Sequence, residues 1–226
     1  AFFSIIVVKQ LYGGIGKNFL NPALAGRAFL TAAYAGYMTT WLVPSALAGV
    51  ADGVTMATPL SYLFSGQALP EYFTLKSMLI GTIPGCMGEI SSTAILIGGA
   101  YLLIRKVINW RIPVAYLGTA AVICVIAGNA GYGNIDWMLL NLSSGGMMLA
   151  AFFMATDYSS SPVTPKGQII FGIGCGAVTM LIRYFGSYPE GATYAILVMN
   201  TCTWAIDSLT RRRQFGVSAE DVKAEK

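Results

Sequence analysis

Residues 51–60 read Ala-Asp-Gly-Val-Thr-Met-Ala-Thr-Pro-Leu, a polar turn set between two long hydrophobic stretches. Asp52, Thr55 and Thr58 stand close together there, and Pro59 is read as the end of the turn. Hydroxyls in such a turn can bond nearby backbone, as in Asx turns and caps, or they can carry an ester. Composition and spacing establish a capped polar turn that presents hydroxyls, and they leave both uses open. Asn18 and Asn21 form a second polar group just before Pro22. Their amides can act as loop and cap residues or as donors and acceptors for the edge of a bound ring. Arg27 is expected inside a helix, paired with an acid or a phosphate, or snorkelling to the interface. The acids Glu89, Asp157, Glu190 and Asp207 lie at or near expected helix ends in an apolar chain. Ionisable groups at membrane depth are functional candidates by default, so these four are either ion-path residues or anchors of exposed turns. Glu89, at a polar break, is the foremost ion-path candidate, whereas Glu190 and Asp207 fit interfacial anchoring equally well.

Other chemistry is excluded by what is missing. The chain has no His, which removes bis-His haem ligation, His-based triads and His-containing metal sites. Cys86, Cys124, Cys175 and Cys202 are far apart with no Cys-x-x-Cys pair, and they read as buried inert thiols. No catalytic residue and no metal site is assigned.

The elements that must position these residues are membrane helices. With 55% hydrophobic and only 11% charged residues and a mean hydropathy of +0.63, the chain lies outside soluble domains, which carry about 25% charged residues. Gly172, Gly174 and Gly176 suit close packing of transmembrane helices. The net charge of +4 is modest and sits in turns and the tail, the pattern of positive-inside topology rather than of nucleic-acid binding.

The sequence opens on Ala-Phe-Phe-Ser-Ile-Ile-Val-Val-Lys-Gln, with neither an initiator Met nor the charged start of a signal peptide. It is expected to begin inside a helix, with membrane sequence upstream. The glycines from Gly13 break that helix, Asn21 caps the next, and Pro22 opens it, giving a helix over 22–41. Broken backbone at membrane depth must face protein or a cavity, so residues 13–21 are a candidate site lining. Residues 61–73 are expected to be a mixed loop. Residues 75–84 are too short for a bilayer crossing, which takes about 20 residues, and are expected to be a re-entrant half-helix. Spans follow over 93–108 and 112–126, then an outer loop over 129–136 and a short apolar piece over 145–155. The last spans cover 169–184 and 192–209. Arg105, Lys106, Arg111 and the cluster from Arg211 to Arg213 mark cytoplasmic ends. This divides the chain into a helical domain, 1–210, and a charged cytoplasmic tail, 211–226, with the Thr58 turn on the outer side. A loose repeat, a Gly-Gly start followed by a short apolar segment, a Pro break and a long helix, occurs around Gly13 and Gly145. Interrupted helices in corresponding positions are what inverted-repeat transporters show.

In this setting residues 51–58 resemble the flavin-attachment motif of the RnfD/NqrB family of membrane subunits from ion-pumping redox complexes. Further blocks, in order, are similar to that family: Asn18-Phe-Leu-Asn-Pro-Ala-Leu-Ala-Gly-Arg, Pro84-Gly-Cys-Met-Gly-Glu, Asn109-Trp-Arg-Ile-Pro, Phe153-Met-Ala-Thr-Asp, Ser161-Pro-x-Thr, Tyr188-Pro-Glu-Gly and Asp207. Met56 departs from the pattern, standing where many members have Gly. The resemblance, closer to the RnfD side, implies an all-α, polytopic membrane protein with short or re-entrant helices and an inverted-repeat, urea-transporter-like architecture. It implies a bacterial cytoplasmic-membrane subunit that relays electrons in a complex coupling ferredoxin:NAD electron transfer to Na⁺ or H⁺ movement. The partners would be membrane lipid and the other subunits of the Rnf complex (A, B, C, E and G). It further implies FMN joined covalently through a phosphodiester to Thr58, with Asp52, Thr55 and Arg27 nearby, and it allows a second, noncovalent riboflavin near Asn18 and Asn21. Two other functions remain open on the residues alone: a passive solute channel of the urea-transporter kind, and a structural anchor for partner subunits.

Overall fold

The computed structural model describes residues 1–42, 55–65, 69–86, 88–128, 133–186 and 190–211. Asp52, Tyr188 and the basic cluster at Arg212 and Arg213 lie outside them. The described residues are mostly helical, with almost no strand. A π-helix, Phe3–Gln10, opens the chain, followed by α1 (Pro22–Ala33), α2 (Ala35–Thr39) and a two-residue antiparallel ladder of β1 (Trp41–Leu42) with β2 (Thr55–Met56). Then come α3 (Pro59–Phe64), α4 (Leu75–Ile80), α5 (Ser92–Ile104), α6 (Arg111–Ala127) and α7 (Asn134–Ser143). The last three are α8 (Met147–Met154), which is π-helical from Ala150, α9 (Pro165–Phe185) and α10 (Ala192–Thr210).

The core is built on α9, which packs along both α6 and α10. Its glycines make this approach close. A Cβ on Gly172 would lie 2.9 Å from the Ile112 carbonyl oxygen, and one on Gly176 would lie 2.6 Å from that of Tyr116. Gly174 faces the other way, where a Cβ would meet Met199 on α10. The expectation that these glycines serve packing therefore holds, in two directions. A Gly176→Ala change must push α6 and α9 apart, because its neighbour is backbone. It is expected to destabilise the protein by about 1–3 kcal/mol, read as a lowered thermal midpoint in detergent, whereas Gly118→Ala, which stands inside a helix and meets nothing within 4 Å, does not lower the midpoint and raises it slightly if anything.

By length and composition α9 suffices to cross a bilayer, and α7 with α8 does so if the two, bent by 68°, are counted as one span. Helices α5 and α6 are apolar but shorter. Large apolar side chains such as Ile97, Val122, Leu181 and Trp204 are exposed on α5, α6, α9 and α10, as lipid-facing surfaces require.

The helix over 22–41 is corrected to two pieces. Tyr34, at φ −135° and ψ 50°, interrupts it and the second piece ends at Thr39. Thr31 and Thr39 donate their hydroxyls to the carbonyls four residues back, a bond that loosens and bends helices. The loop over 61–73 is corrected at its start, where α3 runs to Phe64. Pro59 opens this helix instead of ending a turn, because Thr58 is its cap and a proline at the first helical position lacks only a donor with no partner there. Helix α7 fills residues expected to be loop and connection. Its ten residues are too few to cross a membrane, yet Trp137 and Leu140 give it a buried face. The half-helix expected over 75–84 is corrected to the shorter α4, which stops at Ile80 because Gly81 stands in the left-handed region (φ +100°).

Candidate functional site

Thr58 stands at the entrance to α3 with extended backbone, and its Oγ1 accepts the Ser61 N–H at 3.4 Å. The capping use of this hydroxyl is therefore present. The β1–β2 ladder, which pairs Trp41 with Met56, carries the strand leading to Thr58 back beside the end of α2. A cavity of about 250 Å³ opens at this junction. Thr58 and Ser61 form one wall, Arg27 and Thr31 of α1 a second, and Glu190 and Thr193 at the start of α10 a third. Thr58 and Arg27, distant in sequence, are thus brought to one cavity. Thr55 is placed in β2, two residues back from Ala57.

Arg27 is shared between two carboxylates. Its Nη2 donates to Glu190 Oε2 at 2.5 Å and lies 3.8 Å from Glu89 Oε2. Glu190 is partly exposed, but Glu89 is only 4% exposed. Among the described residues the hydrogen bond to Glu89 is the one the Cys86 N–H donates to its Oε1 at 3.1 Å. Its second oxygen points at the start of α8: a Cβ on Gly146 would sit 2.8 Å from it, so a side chain there would displace the carboxyl. A carboxylate in this place complements the partial positive charge of a helix start.

Two interrupted helices meet at this point. The break from Gly81 to Ser91 between α4 and α5 packs on the break between α7 and α8, with Ser92 Oγ donating to the Ser143 carbonyl at 3.0 Å. Broken helices inside a membrane need their backbone groups satisfied by protein. Arg183 of α9 does this: it is 2% exposed, and its Nη1 and Nη2 donate to the carbonyls of Asn141 (2.8 Å) and Ser144 (3.4 Å). The guanidinium thereby caps the carboxyl end of α7. Sequence reasoning passes over Arg183, although a lone Arg deep in an apolar helix is the available signal.

The remaining predicted residues lie apart from the cavity. Asp157 accepts the Ser159 and Ser160 hydroxyls, both at 2.9 Å, and Asp207 accepts the Val163 N–H at 3.2 Å and the Thr164 hydroxyl at 3.4 Å. Both hold turns, the anchoring alternative for these acids. Asn18 donates to the Leu20 carbonyl and to Ser159 Oγ, each at 3.0 Å. Asn21 caps α1 through the N–H groups of Ala23 and Leu24 and donates to the Met154 carbonyl. With the Asn200 amide turned to accept the Asn21 N–H at 3.1 Å and donate to the Ser160 carbonyl, residues 13–21 are tied to the 155–160 turn and to α10. Among the described residues no cluster of acids and thiols could hold a metal ion.

The profile of the NQR2, RnfD, RnfE family matches residues 1–216. The chain is 49% identical, over 96% of its length and 65% of the relative's, to the D subunit of the Na⁺-translocating ferredoxin:NAD⁺ oxidoreductase complex of Acetobacterium woodii. It is 42% identical, over 96% of its length and 67% of the relative's, to the D subunit of the proton-translocating ferredoxin:NAD⁺ oxidoreductase complex of Clostridium ljungdahlii. To the D subunit of the ion-translocating oxidoreductase complex of Stutzerimonas stutzeri it is 36% identical, over 97% of its length and 69% of the relative's. The chain thus spans about two thirds of the length of these relatives.

Proposed function

Because this chain belongs to the NQR2, RnfD, RnfE family, an all-α family of membrane proteins, we propose that it is the D-type membrane subunit of an ion-translocating ferredoxin:NAD⁺ oxidoreductase complex. In this reading it relays electrons through FMN joined by a phosphodiester to Thr58 Oγ1, works with the other subunits of that complex, and completes no reaction alone. The Thr58 turn faces the outer side of a bacterial cytoplasmic membrane and residues 211–226 face the cytoplasm. The observation that carries the proposal is the identity to two D subunits across 96% of the chain, joined to the position of Thr58 on a cavity wall.

The residues present fit the group. Among the described residues Thr58 Oγ1 has only one long bond, in which it accepts, and an ester oxygen retains an acceptor lone pair. Arg27 stands on the same cavity, where a guanidinium can face a phosphate. At about 250 Å³ the cavity is smaller than the ~300–1,000 Å³ that encloses a whole ligand of that size, so it suits the phosphate and adjoining chain. The flavin, when bound, supplies one-electron chemistry, while the protein supplies binding, orientation and electrostatics. Thr58 holds the attachment, and Arg27, Glu190 and Glu89 set the charge beside it. A noncovalent riboflavin at Asn18 and Asn21 belongs to the same reading and would have to replace the bonds these amides make to Ser159 and Met154.

The test is ultraviolet fluorescence of the full-length protein on a denaturing gel, from a host that attaches flavin. Wild type should fluoresce and Thr58→Ala should be dark. Loss of the cap costs only about 1 kcal/mol, so the variant remains a folded protein. A dark wild-type band would end the electron-carrier reading and leave the channel or the anchor.

A further inference from the structure

The interior beside the cavity holds more polar atoms than its own bonds satisfy. Four side-chain atoms on or against residues 141–146 are buried without a hydrogen-bond partner among the described residues: Glu89 Oε2, Asn141 Oδ1, Ser144 Oγ and Arg183 Nε. Asn141 and Ser144 are fully buried, and Glu89 and Arg183 are nearly so. Leaving such an atom unpaired in the interior is costly, so four together mark a place where something else bonds them. Their types are three oxygens that accept and one N–H that donates, with the Ser144 hydroxyl able to do both. A water can meet all of these demands, whereas a bound cation would stand against the Arg183 guanidinium.

The charges point to one group as the variable one. Glu89 is faced by Arg27 of α1, by Glu190 at the start of α10 and by Arg183 of α9. Arg27 gives its 2.5 Å bond to Glu190 and stays 3.8 Å from Glu89, and the Arg183 Nη atoms are committed to backbone carbonyls. Glu89 is therefore the more buried and the less well bonded of the two acids that share Arg27.

We propose that the break between α7 and α8 is an internal hydration site, held by Glu89, Asn141, Ser144 and Arg183, and that Glu89 takes up and releases a proton through it. In the uptake step a hydrated proton gives an O–H bond to Glu89 Oε2 and leaves a neutral water, and the carboxylate becomes neutral. In the reverse step the O–H bond breaks toward the same water. The Arg27 and Glu190 pair stands between Glu89 and the cavity, so the charge on Glu89 and the charge in the cavity are felt by one guanidinium. This goes beyond the flavin reading and does not depend on it.

The test is infrared titration of the full-length protein in its complex, in H₂O and in D₂O, for wild type, Glu89→Gln and Glu89→Asp. Wild type should show a carboxylic-acid carbonyl band that grows as the pH is lowered and shifts in D₂O. The band should be lost in Glu89→Gln and displaced in Glu89→Asp, and Ser144→Ala should slow its exchange in D₂O. Identical spectra for wild type and Glu89→Gln would overturn the proposal, as would a band that never exchanges. If Glu89→Gln fails to assemble, the Glu89→Asp spectrum decides: an undisplaced band rejects Glu89 as its source. Flavin fluorescence at Thr58 is read separately on the gel, so failure of one reading leaves the other standing.

Discussion

Arg27→Met is expected to destabilise the protein by ~3 kcal/mol, a drop of roughly 6–12 °C in thermal midpoint for a chain of this size. The guanidinium lies between two carboxylates, Glu190 at 2.5 Å and Glu89 at 3.8 Å, and removing it leaves two like charges facing one another. Unit charges about 4 Å apart interact by about 4 kcal/mol near a protein surface, and an uncompensated buried charge costs ~3–5 kcal/mol. The lower end applies because Glu190 is 28% exposed and gains hydration when its partner is gone. The two acids are separable by a double-mutant cycle. Adding Glu89→Gln to Arg27→Met should recover more stability than adding Glu190→Gln, since only Glu89 is deeply buried. The effect should also shrink as the pH falls, because a protonated Glu89 no longer needs the cation. Unfolding in detergent, followed by the tryptophan signal, checks each point. A loss that neither Gln variant relieves would assign the role of Arg27 to packing of its stem.

Arg183→Met is expected to destabilise by about 2–5 kcal/mol, for a different reason. Arg183 forms no ion pair within 4 Å among the described residues; its bonds go to the carbonyls of Asn141 and Ser144. Each buried carbonyl left without a donor costs roughly 1–3 kcal/mol. Relief from burying the guanidinium offsets part of this, which sets the upper bound. Arg183→Lys should restore about half, since a single ammonium lacks the planar fork that reaches two carbonyls at once. In the Arg183→Met variant the bent junction of α7 and α8 should open locally, visible as faster amide exchange over residues 141–150. An unchanged midpoint would mean that water, not Arg183, satisfies the break.

Among the described residues Arg27 and Glu190 both line the cavity beside Thr58, and Arg27 also faces Glu89. A negative charge brought into the cavity at Thr58 competes with both acids for the same guanidinium. The site is therefore a charge-sensitive junction whatever group occupies the cavity.

Much of this was determined by the sequence itself. The scarcity of charge, the absence of His, the cap at Asn21 followed by proline, and the apolar runs behind α5, α6, α9 and α10 are local properties, and local chemistry suffices to produce them; the like cap at Thr164 opens α9 four residues before the expected span. The ordered blocks that resemble one family are local too. Thr164 and Pro165 show the limit of the same logic, because the identical pair at Thr58 and Pro59 reads locally as a turn's end. A six-residue helix leaves almost no periodic signal, and the short α7 is hidden from sequence reading for the same reason. What only the tertiary structure decided was which of the polar residues meet. The polar break marks Glu89 in the sequence, but only the packed structure shows it buried against a second helix break while Asp157 and Asp207 hold turns. Arg183 gained its role from two carbonyls some forty positions back in the chain. Such pairings follow from how α9 packs against the broken helices, and the free energy that selects them, the need to satisfy polar groups removed from water, exists only after the helices have come together.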